Sequence, residues 1–289
     1  MRLRAYLNIF LAAFFWGSSA TAAKFLFEHD ISPLLVVESR VIIATIILFL
    51  FFLVVNPKSL RIRLSDLLDF GLLGIVGVAG ANYTYYMAIR ETTVGIAILM
   101  QYTAPVLVAV YMMVTRKEKI SSTKIFAIIL SLSGCFVMLG LFNSDVRITA
   151  LGIILGASSA VCFAFFNIYN RIASKDYSTW TAINYTLLCA SAFWFVFDLV
   201  WKPAIPFPHA NELLSLTVFS FTSVLIPYYF YFIGLKHISP STAVIVSTLE
   251  PVTAIFTAFV FLGETLHFAQ VMGGALVIGA VVLLELRRE

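Results

Sequence analysis

Apolar runs of roughly 20 residues recur from one end of this chain to the other, separated by short polar interruptions. Each run is long enough to cross a hydrocarbon core of about 30 Å as an α-helix. This pattern excludes a water-soluble globule. Hydrophobic residues make up 61% of the chain and charged residues 12%, with a mean hydropathy of +0.98, whereas a soluble domain is about one quarter charged. Stretches such as Val41 to Val55 are apolar on every side, unlike the alternating strands of a membrane β-barrel. The expected fold is therefore all-α and integral to the membrane. Ten transmembrane helices are expected near 5–26, 34–55, 67–87, 93–115, 123–141, 149–171, 179–200, 213–235, 241–262 and 268–286.

Cys135, Cys162 and Cys189 fall inside these spans, with no paired spacing and no nearby histidine. They read as small packing residues, and neither a disulfide framework, a metal site nor a cofactor is expected. The formal charge of +4 is explained by its placement rather than by a nucleic-acid partner. Alternating connections put Arg2, Arg4, Lys58, Arg61, Arg63, Arg116, Lys117, Lys119, Lys124, Arg171, Lys175, Lys236, Arg287 and Arg288 on one side, against Arg90, Arg147 and Lys202 on the other. Because Lys and Arg in short loops stay in the cytoplasm, both termini are expected inside a cytoplasmic membrane. Arg2 and Arg4 ahead of an apolar stretch ending in Ala20-Thr21-Ala22 imitate a cleavable signal. The apolar run continues through Phe27, however, and the segment has an internal counterpart, so it reads as a span.

That counterpart emerges when the chain is shifted against itself by 146 positions: Tyr85 falls on Tyr231, Ala97 on Ala243, Pro105 on Pro251, Val114 on Val260 and Glu118 on Glu264. Each half, 1–145 and 146–289, then holds five spans. Five is odd, so the second half must cross the membrane upside down. Loop charge agrees: Arg116, Lys117, Lys119 and Lys124 follow the fourth span, while the loop after the ninth offers Glu264 and His267 and neither Lys nor Arg. Inverted halves exchanging conformations around a midplane site are the basis of alternating access.

Phe14-Phe15-Trp16-Gly17-Ser18, Thr103-Ala104-Pro105, Leu249-Glu250-Pro251, and Phe261-Leu262-Gly263-Glu264-Thr265-Leu266 followed by Gly273-Gly274-Ala275-Leu276 resemble the ten-helix branch of the drug/metabolite transporter superfamily, the EamA family. The resemblance covers essentially the whole chain. It implies two five-helix repeats, cytoplasmic termini, and a central cavity lined by spans one, three, four, six, eight and nine. Amino acids, sugars, nucleoside-like compounds and drugs are all cargo for such proteins. The first repeat departs from the pattern, with Arg116-Lys117-Glu118 where the second has Leu262-Gly263-Glu264.

Glu250 is the sharpest candidate for chemistry, since nine residues from Ser241 at 1.5 Å rise place it roughly 14 Å deep. A carboxylate there is costly unless it faces a cavity or a partner. It is expected to bind a substrate ammonium or take up a coupling proton, the alternative being a protonated group bonded to a neighbouring helix. Pro105 and Pro251 sit mid-span at equivalent places, where a missing backbone donor bends or breaks a helix. Trp16, Ser18, Ser19, Tyr83, Tyr86, Gln101, Tyr102, Asn167, Tyr169 and Tyr228 are expected to build a polar, aromatic-walled substrate pocket. Helix–helix hydrogen bonding, or interfacial anchoring for Tyr86, Tyr169 and Tyr228, is the alternative for each. Lys24, Glu38, Arg40, Asp69 and Asp198 read as anchors near helix ends, unless Lys24 and Arg40 turn inward and hold an anion. Gly71, Gly74, Gly77 and Gly80 form a three-residue ridge, and Gly152 with Gly156 a small-xxx-small pair, both suited to close packing.

The expected function is a secondary carrier, an exporter of small polar metabolites such as amino acids, with membrane lipid as solvent and a proton as a coupling ion. Small apolar faces on spans five and ten would suit a homodimer. A membrane-embedded enzyme is the alternative, but His29, His209, His237 and His267 all lie in loops or at span ends, and there is neither a Ser/His pair nor a phosphate-binding glycine loop.

Overall fold

The computed structural model describes residues 2–28, 33–92, 94–140, 149–201, 210–263 and 265–287, and every regular element among them is helical. In chain order these are α1 Arg2–Glu28 and α2 Pro33–Val55, α3 Leu64–Glu91 and α4 Gly95–Val114, α5 Ser122–Met138, α6 Ala150–Ala173 and α7 Thr179–Trp201, α8 Glu212–Leu235 and α9 Pro240–Leu262, and α10 Phe268–Leu286. Eight of the described helices are long and apolar enough to cross a membrane. The two outside that set are α5, which has 17 residues, and α1, which has 27. Large apolar side chains such as Val54, Ile154, Phe261 and Phe268 stand on the outside of the bundle. Such a surface is stable only against lipid, and the protein is a multi-pass membrane protein.

Four helices depart from regular α geometry in their interiors. α3 runs as π-helix over Leu73–Gly80 and α8 does so over Phe221–Leu225. α4 is interrupted at Tyr102–Thr103 and α9 at Ser247–Thr248. Pro105 and Pro251 stand in the first turn of the helical stretch that follows each interruption, where a missing N–H costs nothing. Carbonyls left at the breaks are taken up locally. The Thr103 hydroxyl donates to Met100 O at 2.7 Å, that of Thr248 to Ile245 O at 2.6 Å, and that of Ser247 to Val244 O at 2.8 Å. Irregular backbone at membrane depth is tolerated when its polar groups are satisfied in this way.

Close helix approaches depend on small residues. At Gly17 of α1 an added Cβ would run into Thr253 Oγ1 and the Glu250 carbonyl of α9. Around this contact Thr253 donates to Ala13 O at 3.1 Å, and the Thr21 and Thr257 hydroxyls meet at 2.8 Å. Gly134 of α5 and Gly273 of α10 each approach the other's carbonyl oxygen, at 2.6 and 2.5 Å from a built Cβ. The small faces of α5 and α10 are thus packed against each other within one chain. Gly152 and Gly156 admit Thr92 and Met100, as close packing requires. The α3 glycines do not form one ridge, which corrects the sequence reading. Gly74 lies against Thr186 and Cys189 of α7, Gly77 against Phe166 of α6, and Gly71 meets nothing within 4 Å. The π-helical stretch widens each turn, so a three-residue spacing no longer keeps one face.

Candidate functional site

A cavity of about 140 Å³ lies between the helices. Its wall is assembled from Trp16, Ser19, Ala20 and Ala23 of α1, Arg40 of α2, Gly77, Ala81, Asn82, Tyr85 and Tyr86 of α3, Gln101 of α4, Phe163 and Phe166 of α6, Phe219, Ser223 and Tyr228 of α8, and Glu250 of α9. Both π-helical stretches and both helix breaks contribute to this wall or border it.

Glu250 sits near the centre of the 23-residue α9, in the first turn after the Ser247–Thr248 break. Its position is set by three features. The break starts a new helix whose N-terminal dipole favours a carboxylate. Tyr102, at the α4 break, donates its hydroxyl to Glu250 Oε2 at 2.7 Å. The Glu250 backbone N–H returns to Ser247 O at 3.0 Å. An acid at the bilayer centre costs about 2.5–3.5 kcal/mol or more, so these supports and the cavity are what let it stay.

Arg40 shares the cavity and is held by another residue of its wall. Its Nη2 donates to Asn82 Oδ1 at 2.7 Å, and Asn82 Nδ2 donates to Val78 O at 2.7 Å, within the π-helical turn of α3. Arg40 Nε is buried and has no hydrogen-bond acceptor. The guanidinium lies close enough to act on the Glu250 carboxylate electrostatically, yet among the described residues no ion pair joins the two.

Of the residues expected from sequence, Trp16, Ser19, Tyr86, Gln101, Tyr228 and Glu250 line this cavity. Tyr102 stands one hydrogen bond behind Glu250. Asn167 is fully buried and spent on structure, accepting from the Tyr231 hydroxyl at 2.5 Å and donating to Phe163 O at 2.8 Å. Tyr83 points the other way, its ring 6.2 Å from Trp194 and 5.5 Å from Phe197. The Ser18 hydroxyl is buried without a partner and does not reach the cavity wall. Trp16 braces the aromatic side, 5.6 Å from Tyr228 and 4.9 Å from Tyr231.

Asn82 and Tyr85 line the cavity beyond the residues expected from sequence, and Arg40 lines it too. The sequence reads Arg40 as a helix-end anchor unless it turns inward to hold an anion, and the structure turns it inward. The available signals were its depth, seven residues and so roughly 10 Å into α2, and the polar run Asn82-Tyr83-Thr84-Tyr85-Tyr86 inside an apolar span. Asp69, also read as an anchor, accepts from Tyr169 of α6 at 2.6 Å, and Glu38 is buried. The side chains of Arg2, Lys24 and Asp198, together with residues His29, Arg147, Lys202, His209, Glu264 and Arg288, lie outside the described residues.

Away from the cavity, Glu118 forms a second polar cluster. Its Oε1 accepts from Lys124 Nζ, from Ser239 Oγ at 2.9 Å and from Ser241 Oγ at 2.7 Å, tying the α4–α5 connection to the start of α9. Arg116, with φ of 53°, makes the left-handed turn that aims this segment.

The EamA-like transporter family matches residues 3–140 and again 150–286. An uncharacterized transporter of Archaeoglobus fulgidus is 28% identical over 82% of this chain and 83% of its own length. The threonine/homoserine exporter RhtA of Salmonella typhimurium is 26% identical over 94% of this chain and 88% of its own length. One crystal structure superposes with a TM-score of 0.82 at 20% identity, covering 100% of this chain and 99% of the other. A multi-pass bundle around a charged internal cavity, with transporters as its relatives, defines a membrane transporter and not an enzyme. The chain belongs to the EamA-like transporter family.

Proposed function

We propose that this protein is a secondary carrier of the cell membrane that exports small polar metabolites, amino acids or related compounds, by alternating access. The observation that carries the proposal is Glu250, a carboxylate at mid-span facing a cavity and held there by Tyr102 at a helix break. In this reading Glu250 holds the cargo's ammonium and, between cargoes, a coupling proton. RhtA, which exports threonine and homoserine, supports the cargo class.

The proposed architecture is ten spans in two inverted halves, α1 and α5 completing the set, with both termini in the cytoplasm. Two family matches of similar length support the repeat. Helix neighbours also fall into exchangeable pairs: α1 lies against α8 as α6 lies against α3, while α5 faces α10 and α2 faces α7. With the termini inside, the cavity occupies the outer half of the bundle. The buried Pro240–Val246 segment and the Glu118 cluster then close the cytoplasmic side.

Counterflow in proteoliposomes tests this reading, using labelled amino acids, sugars and nucleosides with and without a pH gradient. Accumulation of a solute, lost in Glu250→Gln while insertion is preserved, is the expected result. Chemical conversion of the solute without translocation would overturn it.

A further inference from the structure

The cavity holds two opposite charges that do not pair with each other, and each is fixed by a polar neighbour. Glu250 is held by Tyr102, Arg40 by Asn82, and Asn82 by the π-helical turn of α3. Keeping a half-buried guanidinium and a half-buried carboxylate in one membrane-embedded chamber without an ion pair between them is costly. An occupant that brings both complementary charges offsets that cost at both ends at once.

We infer that Arg40, positioned by Asn82, is the carboxylate-binding residue of the cavity, so that cargo is selected as a zwitterion clamped between Arg40 and Glu250. The inference rests on the carrier reading above and narrows its cargo class. A guanidinium presents a planar fork suited to a carboxylate, and Arg40 lines the cavity with its Nη2 set by Asn82. Phe163, Phe166 and Tyr228 form the part of the wall where no charge is present, and the cargo side chain rests there.

Two blocked derivatives separate the two ends. Labelled L-threonine counterflow is measured in competition with unlabelled L-threonine, L-threonine methyl ester and N-acetyl-L-threonine, and the same series is run with each of the other common amino acids. In the wild-type protein each blocked form is expected to compete at least tenfold more weakly than the free amino acid. Arg40→Gln should abolish the discrimination against the ester while keeping that against the N-acetyl form, and Glu250→Gln should do the reverse. Asn82→Ser, which loosens the guanidinium without removing its charge, should reduce the ester discrimination partly, and so covers the case in which Arg40→Gln does not fold. An ester that competes as well as the free acid, or variants that weaken all ligands equally, would overturn the clamp. Accumulation of a sugar or organic anion but of no amino acid would also overturn it while leaving the carrier reading intact. Counterflow of no solute at all would remove the carrier reading itself, and the clamp with it.

Discussion

The hydroxyls of Thr45 and Ser191, 146 positions apart in the chain, meet at 2.7 Å between α2 and α7. The same offset carries Tyr85 onto Tyr231 and Pro105 onto Pro251, so the contact joins equivalent points of the two halves. Hydrogen bonds between membrane helices average about 0.6 kcal/mol, because the unfolded chain in the bilayer also finds partners. Thr45→Val is therefore expected to lower unfolding free energy by about 0.6 kcal/mol, and adding Ser191→Ala should cost little more. A double-mutant cycle by unfolding in mixed micelles checks the coupling, and strict additivity would show there is none.

Tyr102→Phe keeps the ring and removes the donor to Glu250. A hydrogen bond to a charged group is worth about 1.5–3 kcal/mol, which corresponds to at least a tenfold effect. Transport in proteoliposomes is expected to fall by about that factor, while the melting profile in detergent moves little. Unchanged transport would mean that the phenol does not hold the carboxylate in the working cycle.

Gly17→Ala places a methyl group against Thr253 Oγ1 and the backbone of Glu250. Backbone cannot yield as a flexible side chain can, so α9 must move away from α1 at the point where the acid sits. The expected outcome is a loss of about 1–3 kcal/mol in stability together with reduced transport. Gly71→Ala, whose methyl group meets nothing within 4 Å, should change neither. Thermal melting and counterflow on both variants test the contrast.

Lys124 and Glu118 form a largely buried ion pair, their side chains 7% and 13% exposed. Removing only the cation leaves a carboxylate with no counter-charge, so Lys124→Met should destabilise by about 3–5 kcal/mol. Glu118→Gln combined with Lys124→Met should recover much of that loss. Arg63, which is 65% exposed and bridges Asp66 and Asp176 at 2.9 Å each, should give only a small loss on Arg63→Ala, smaller still in high salt.

The helices were legible because lipid imposes a length. The run read as 268–286 is α10 as found, and the other helical stretches agree within a few residues. Pro105 and Pro251 pointed to the helix interruptions, although each break lies a few residues earlier, at Tyr102–Thr103 and Ser247–Thr248. The ring clashes with the preceding turn, so the disturbance falls on the N-terminal side of the proline. Glu250 was legible because an acid in the middle of an apolar run has few tolerable explanations.

Facing was a different matter. Tyr83, Tyr85 and Tyr86 are near neighbours in one segment, yet Tyr85 and Tyr86 line the cavity while Tyr83 packs against Trp194. A run in which polar and aromatic residues follow one another does not say which of them faces a cavity, and the π-helical turn at Leu73–Gly80 shifts the face that any regular spacing would assign. What the sequence determined by itself was membrane residence, the approximate helical stretches and the acid at mid-depth, because each follows from the cost of placing a polar or charged group in hydrocarbon. Only the tertiary structure decided that Arg40 turns inward, that Asn82 holds it, and that Asn167 is spent on Tyr231, because each depends on which face a neighbouring helix presents.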